Sequence, residues 1–340
     1  MAGAVGCVIL CGKKQQRLMC EEWLGMREDT FSFYGAGEML FRGTIWMPDV
    51  VRPRLVVQVA HGMTEHFGRY KMLAEAVTAR GMALAGYDLR GHGCNNPEGV
   101  CASFGEGGWE ASLQDMHACH YALGKLYKDV PQVLLGFSLG SFLVRDYLSM
   151  YRTSCTGVII MGTGSQSSAV LGALKLLVKG EIKKAGFDNT TPLVQKLSFE
   201  TYNKRFAPNH SAFDWLISDA VEVARYAQDP LCKSAISAGL FWQLLDAMQR
   251  TSRPSAYNQW PQNLPVMLMS GREDPVGDGG KGVEHVAKQM KKAGIEDLSM
   301  FLMLRARHDV LHEVENGVAE KSISMIVAFL EHCVTVSECL

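Results

Sequence analysis

The sequence has no excess of charge of either sign: its 340 residues carry 34 Lys and Arg against 35 Asp and Glu, a formal net charge of −1. So balanced a chain sets up no global field that would recruit nucleic acid or an anionic membrane. It also lacks any C-x-x-C pair. Its ten cysteines, Cys7, Cys11, Cys20, Cys94, Cys101, Cys119, Cys155, Cys232, Cys333 and Cys339, follow no framework spacing. They are expected to be free thiols in a reducing compartment, the cytoplasm. No apolar run approaches the roughly 20 residues needed to span a bilayer. The apolar stretch from Ala2 to Cys11 has its positive residues, Lys13, Lys14 and Arg17, after it, the reverse of an export signal. Leu10 stands where a lipoprotein cleavage site needs a small residue. Low-complexity tracts and short repeats are missing too, and the ordinary share of charged residues excludes a disordered chain. A chain of this length buries about three-quarters of its unfolded surface, so its core needs neither disulfides nor structural metal. At about 150 residues per domain, it should form two domains or one domain with an insertion.

What the sequence does contain is an alternation of strand-like and helix-like segments from Thr30 onward, the pattern of an α/β fold with a mostly parallel sheet. Phe31 to Tyr34 and Met39 to Trp46, parted by Gly35, Ala36 and Gly37, read as an opening antiparallel hairpin. Short runs apolar on both faces follow at Leu55 to Ala60, Met82 to Tyr87, Val133 to Gly136, Gly157 to Met161, Pro265 to Met269 and Met300 to Leu304. Such runs fit strands covered on both sides. Helical patterns separate them at Tyr70 to Arg80, Glu110 to Tyr127, Leu139 to Met150, Gly282 to Lys292 and Val318 to Cys333. The connection from Met161 to Pro265 is far longer than a crossover needs, so an inserted subdomain is expected there. Its first part, Ser168 to Lys184, interleaves Val170, Leu171, Leu174, Leu176, Leu177 and Val178 with lysines. That pattern suits either a helix packed on the core or a mobile apolar lid.

Gly136-Phe137-Ser138-Leu139-Gly140 matches G-x-S-x-G. The pattern alone is weak, but here it directly follows a strand and precedes a helix, the setting of a nucleophile elbow. The glycines leave room for a turn so tight that side chains two before and two after the serine would collide. A serine hydroxyl needs a base, and the base needs an orienting acid. Asp274, in the loop after Pro265 to Met269, and His308, after the last strand, supply them in the order Ser, Asp, His. In that arrangement His308 takes the Ser138 proton and Asp274 fixes the imidazole tautomer. Two backbone donors are expected for the oxyanion, the N–H groups of Leu139 and of Met63 in His61-Gly62-Met63. His61 reads more readily as a brace for that turn than as a catalytic group. Should His312 be the base instead, His312→Ala rather than His308→Ala would abolish turnover.

Other constellations carry less. His117, Cys119 and His120 beside Asp115 have metal-ligand chemistry but no third ligand at suitable spacing, and no metal site is assigned. Gly277-Asp278-Gly279-Gly280-Lys281 lacks the spacing of a phosphate loop and the Ser or Thr after its lysine; it reads as a turn and helix cap.

Taken together, His61-Gly62-Met63-Thr64-Glu65-His66, Tyr87-Asp88-Leu89-Arg90-Gly91-His92-Gly93, the Ser138 elbow, Asp274-Pro275-Val276-Gly277-Asp278 and Arg307-His308-Asp309 resemble the monoacylglycerol lipase and lysophospholipase-like α/β-hydrolases, a branch often labelled serine aminopeptidase-like. The resemblance runs from about Met26 to the C-terminus. It implies an eight-stranded, mostly parallel sheet flanked by helices, a helical cap inserted after the sixth strand, no cofactor, and ester hydrolysis through an acyl-enzyme. On that reading residues 26–164 and 236–340 form the core, 165–235 the cap, and 1–25 an appendage that is disordered or a non-native start. The implied substrate is a small ester with an apolar acyl group, a monoacylglycerol or lysophospholipid; transient contact of the cap with a membrane surface is a further expectation. A short-chain carboxylesterase, an amidase or aminopeptidase, and a non-catalytic binding protein on the same fold are the alternatives. The chain departs from the branch at Phe137, Leu139 and Ser141, where His, Met and Gly are common, at Asn95, at Leu304-Arg305 and at His312. The resemblance places Phe137 and His312 near the pocket, with His61 and Gly62 as further substrate contacts.

Overall fold

The structure is a computed structural model and describes residues 25–49, 52–96, 101–232 and 235–338. Eight strands, β1 (Met26–Tyr34), β2 (Leu40–Pro48), β3 (Val56–Ala60), β4 (Ala83–Tyr87), β5 (Gln132–Phe137), β6 (Gly157–Met161), β7 (Val266–Gly271) and β8 (Leu298–Met303), lie in the order β1-β2-β4-β3-β5-β6-β7-β8. The β1–β2 and β2–β4 pairs are antiparallel and every other pair is parallel. Strands β3 to β7 are buried along their whole length, which is why their sequences are apolar on both faces. The helices are α1 (Lys71–Thr78), α2 (Gly108–Leu126), α3 (Leu139–Met150), α4 (Ser168–Ala185), α5 (Pro192–Gln195), α6 (Thr201–Asn203), α7 (Ala220–Gln228), α8 (Ala238–Thr251), α9 (Lys281–Lys292) and α10 (Val318–Glu338).

Alternation along each strand divides the core in two. Val56, Leu134, Val158 and Leu268 pack with residues of α2, α3, α8 and α9. Val57, Leu135, Ile159 and Met269, one position on, pack with α1 and α10 on the other face. The chain winds from β3 outward to β4 and then returns past β3 to β5. The loops leaving β3 and β5 therefore part in opposite directions at the carboxyl edge, the place where open α/β sheets bind ligands.

The strands anticipated from sequence are all present, with β1 starting at Met26, five residues before the expected hairpin. The long connection holds α4 to α8 and a π-helical turn at Lys196–Glu200, while β6 and β7 on either side of it pair directly through Val158 and Val266. The 14-residue helix α8 carries no separate signal in the sequence reading; it packs on α3 and α4 through Leu240, Phe241 and Leu245. The expectation for residues 1–25 falls, apart from Gly25, outside the described residues, as do Cys7, Cys11, Cys20 and Cys339. Among the described residues no helix is long and apolar enough to cross a membrane.

Candidate active site

Ser138 joins β5 to α3 at φ 50° and ψ −114°, a left-handed conformation that strains any residue with a Cβ. What over-determines it is close packing of backbone. A Cβ on Gly140 would lie 1.8 Å from the Ala60 carbonyl oxygen, and one on Gly136 would lie 2.4 Å from that of Gly140. Ser138 N–H donates to Met161 O at 2.9 Å, and Ser138 O accepts from Ser141 N–H at 2.9 Å and Ser141 Oγ at 2.6 Å. Ser141, one of the departures from the branch pattern, thus closes the first turn of α3. Leu139 is the first residue of that helix, where N–H groups have no helical acceptor and the helix dipole is positive.

Asp274 and His308 meet at the ends of β7 and β8. His308 Nδ1 lies 2.9 Å from Asp274 Oδ1, and the same oxygen accepts from Val276 N–H at 2.8 Å. Asp274 Oδ2 accepts from Ser270 Oγ at 2.8 Å. With Nδ1–H donated to the carboxylate, Nε2 carries the lone pair, and it is buried without a partner. The imidazole is held between the rings of Phe137 and Trp215, at centroid distances of 5.0 and 5.1 Å.

Ser138, His308, Phe137 and Met63 line one small cavity of about 20 Å³, together with Phe199 and Trp215 among others. Asp274 stands behind His308. The other expected contacts, His61, Gly62 and His312, do not line that cavity. His61 is fully buried: its Nε2 accepts from Leu89 N–H at 2.8 Å and its Nδ1 lies 2.7 Å from Gly62 O. Burial holds its pKa below the ordinary value. Gly62 N–H donates to Glu65 Oε1 at 2.6 Å. His312 Nδ1 lies 2.8 Å from Asp309 Oδ2, on the far side of the histidine loop. Each has a polar atom bonded within the loop that carries it or to the loop after β4.

The sequence reading named His61 as a brace but not the charged network beside it. Arg69 bridges Glu65 and, at 2.9 Å, Asp309, and its guanidinium lies 4.8 Å from the Tyr226 ring centroid. Burial alone would raise the Asp309 pKa, but His312 and Arg69 hold it well below the usual carboxylate range. Tyr226, from α7, donates to Thr64 O at 3.1 Å. The loop after β3, the loop after β8 and α7 are thereby one unit. Glu65 and Arg69 are four apart, a helical spacing visible in sequence; Asp309 and Tyr226 give no local signal.

His117 and His120 turn to Tyr147 and Thr153 instead of a shared cation. Among the described residues His66, Asp229 and Cys232 do have ligand atoms within 4.8 Å of one another. There the imidazole and carboxylate are already bonded together at 2.9 Å, and burial raises the Cys232 pKa, holding the thiol protonated.

The sequence model of a family described as "Serine aminopeptidase, S33" matches residues 51–315. A monoacylglycerol lipase of Mycolicibacterium smegmatis is 24% identical over 88% of this chain and 97% of its own length. A monoglyceride lipase of Mus musculus is 27% identical over 81% and 86%. A thermostable carboxyl esterase from Bacillus coagulans, solved in complex with glycerol, superposes with a TM-score of 0.79 at 21% identity, covering 90% of this chain and 99% of that one. At that identity the superposition speaks for the fold alone.

Proposed function

The chain belongs to the serine aminopeptidase (S33) family of α/β-hydrolases, and from that premise we propose that it is a serine hydrolase cleaving carboxylic esters through an acyl-enzyme. The observation that carries the proposal is geometric: a strained Ser138 faces the same cavity as a histidine whose other nitrogen is fixed by a buried carboxylate. Ser138 Oγ attacks the ester carbonyl carbon as its proton passes to His308 Nε2. The oxyanion accepts hydrogen bonds from Met63 and Leu139 N–H, donors whose loss typically costs about 3 kcal/mol of transition-state stabilisation. Collapse breaks the carbon–oxygen bond, and His308 returns the proton to the departing alcohol. Water, deprotonated by the same imidazole, then cleaves the acyl-enzyme to free Ser138 and a carboxylic acid. Asp274 orients His308 and stabilises its positive form throughout.

The lipase names of the relatives support a monoacylglycerol as substrate; a lysophospholipid is the other substrate of this reading. In this reading residues 26–164 and 236–340 form the core and 165–235 a cap over the acyl chain. Burial of a twelve-carbon chain is worth about 9 kcal/mol gross at about 0.8 kcal/mol per methylene. Val170, Leu176 and Leu177 are exposed on α4 beside Lys175 and Lys179, which supports transient contact of the cap with a lipid surface. The described cysteines Cys94, Cys101, Cys119, Cys155, Cys232 and Cys333 are free thiols, in keeping with the cytoplasm. A second reading, a short-chain carboxylesterase, is favoured by the small volume beside Ser138.

A fluorophosphonate probe should label the protein and fail to label Ser138→Ala. Hydrolysis of p-nitrophenyl butyrate should fall by about a thousandfold or more in that variant. A wild-type protein that neither labels nor turns over any ester would falsify the proposal.

A further inference from the structure

The volume at Ser138 is about 20 Å³, room for roughly one water, whereas pockets that enclose a ligand of drug size start near ~300 Å³. One wall is the indole of Trp215, 6% exposed, with centroids 5.1 Å from His308, 5.9 Å from Phe199 and 5.4 Å from Tyr202. A lid swings aside when few interactions hold it. This one is held along its whole length to the loop that carries His308.

Arg307 donates through its guanidinium to the Asp214 carbonyl and, at 3.2 Å, to that of Ile217. Asp309 N–H donates to Leu216 O at 2.8 Å. Ser218 N–H donates to Glu313 Oε1 at 3.1 Å, and Glu315 N–H to Asp219 Oδ2 at 3.0 Å. Trp215 N–H itself donates to Asn203 Oδ1 at 2.9 Å. Withdrawing this segment would break bonds on both sides of His308, so an enzyme with its base in place also has its indole in place. Trp215 Nε1 is buried with no acceptor; the ring is held by its faces and forfeits no hydrogen bond when replaced by phenylalanine.

We propose that Trp215 sets the acyl-chain length of the site: it is the fixed wall, not a moving lid, so that esters of short acyl chains such as acetyl and butyryl enter by small shifts of the other lining side chains and long ones are turned away. This rests on the hydrolase reading above and chooses between its two substrate classes.

The test is the ratio of kcat/KM for p-nitrophenyl laurate to that for p-nitrophenyl butyrate, measured on wild type, Trp215→Ala and Trp215→Phe, with fluorophosphonate labelling of each. A loss of stacking on His308 slows both esters together and cancels in the ratio. We expect the wild type to favour butyrate by about tenfold or more, Trp215→Ala to raise the ratio by about tenfold or more, and Trp215→Phe to fall between. Should the alanine variant not fold, the graded shift in Trp215→Phe decides alone. A labelled wild type that prefers laurate, or folded variants with an unshifted ratio, sinks this proposal and leaves the hydrolase reading standing. A wild type that neither labels nor hydrolyses either ester sinks both.

Discussion

Asp274 has both carboxylate oxygens occupied, and Ser270 Oγ supplies the only one of these bonds on the oxygen turned away from His308. Without it the carboxylate is held through Oδ1 alone, by Val276 N–H and the imidazole, and its plane is less firmly fixed. A hydrogen bond to a charged group contributes about 1.5–3 kcal/mol. Ser270→Ala should therefore lower kcat by about tenfold while KM on the same ester stays within about twofold. A fall in kcat/KM carried by KM alone would show Ser270 to be structural only. At this scale the sequence is legible wherever a functional residue follows a strand. Ser138, Asp274 and His308 each end a run apolar on both faces, so position along the chain gives position at the sheet edge. Arg69 is different, since its partner Asp309 is 240 residues away and no periodicity connects them. Trp215 is different again: nothing local distinguishes an aromatic that faces a histidine from one that fills a core.

Helix α3 does more than present Ser138. From its second turn Arg145, fully buried, donates to Thr163 Oγ1 at 3.0 Å and Gly164 O at 3.2 Å, where the chain leaves the sheet after β6. It also donates to Thr251 O at 2.7 Å and Tyr257 OH at 2.8 Å, where the chain comes back. All four acceptors are neutral, so the guanidinium acts as a fork with five N–H donors rather than as half of an ion pair. Removing it strands several buried acceptors. Arg145→Met should lower the urea-unfolding free energy by about 3 kcal/mol, and Arg145→Lys should recover little of it, because an ammonium cannot span both exits. An equilibrium unfolding curve with an unchanged midpoint in Arg145→Met would contradict this. At the scale of elements the parallel strands were legible because covered strands must be apolar on both faces. The π-helical turn at Lys196–Glu200 and helix α8 were not, because their form follows from what they pack against.

Besides His308, three histidines across the molecule are buried, and burial favours their neutral form. Burial lowers the pKa of His61, pushes His120 down to about 4, and, with His61 nearby, brings His92 down to about 3. In the unfolded chain each takes up its proton near pH 6.5. The folded state therefore keeps its full advantage above that pH and loses it as the pH falls from about 6.5 towards 4. His120 and His92 each cost about 1.4 kcal/mol of stability per pH unit over that interval, and His61 acts in the same direction. The calorimetric unfolding temperature should accordingly drop between pH 7 and pH 5, and His120→Gln should shrink the drop. A transition that holds its temperature across that range would argue against neutral burial. His92 and His120 do not signal their burial in the sequence, where a histidine in a loop or on a helix reads as surface; His61 does, as a brace for its turn.

The direct pairing of β6 with β7 has a consequence for descent as well as for folding. Because the sheet closes across the stretch between Met161 and Val266 without drawing a strand from it, heritable change there leaves the ladder untouched. The bonds from Asp214 through Asp219 to the histidine loop are where that freedom ends. Insertions, deletions and whole replacements should accumulate in lineages of this protein on either side of that short tether, so that new diets of substrate can be tried while the machinery of turnover is inherited intact.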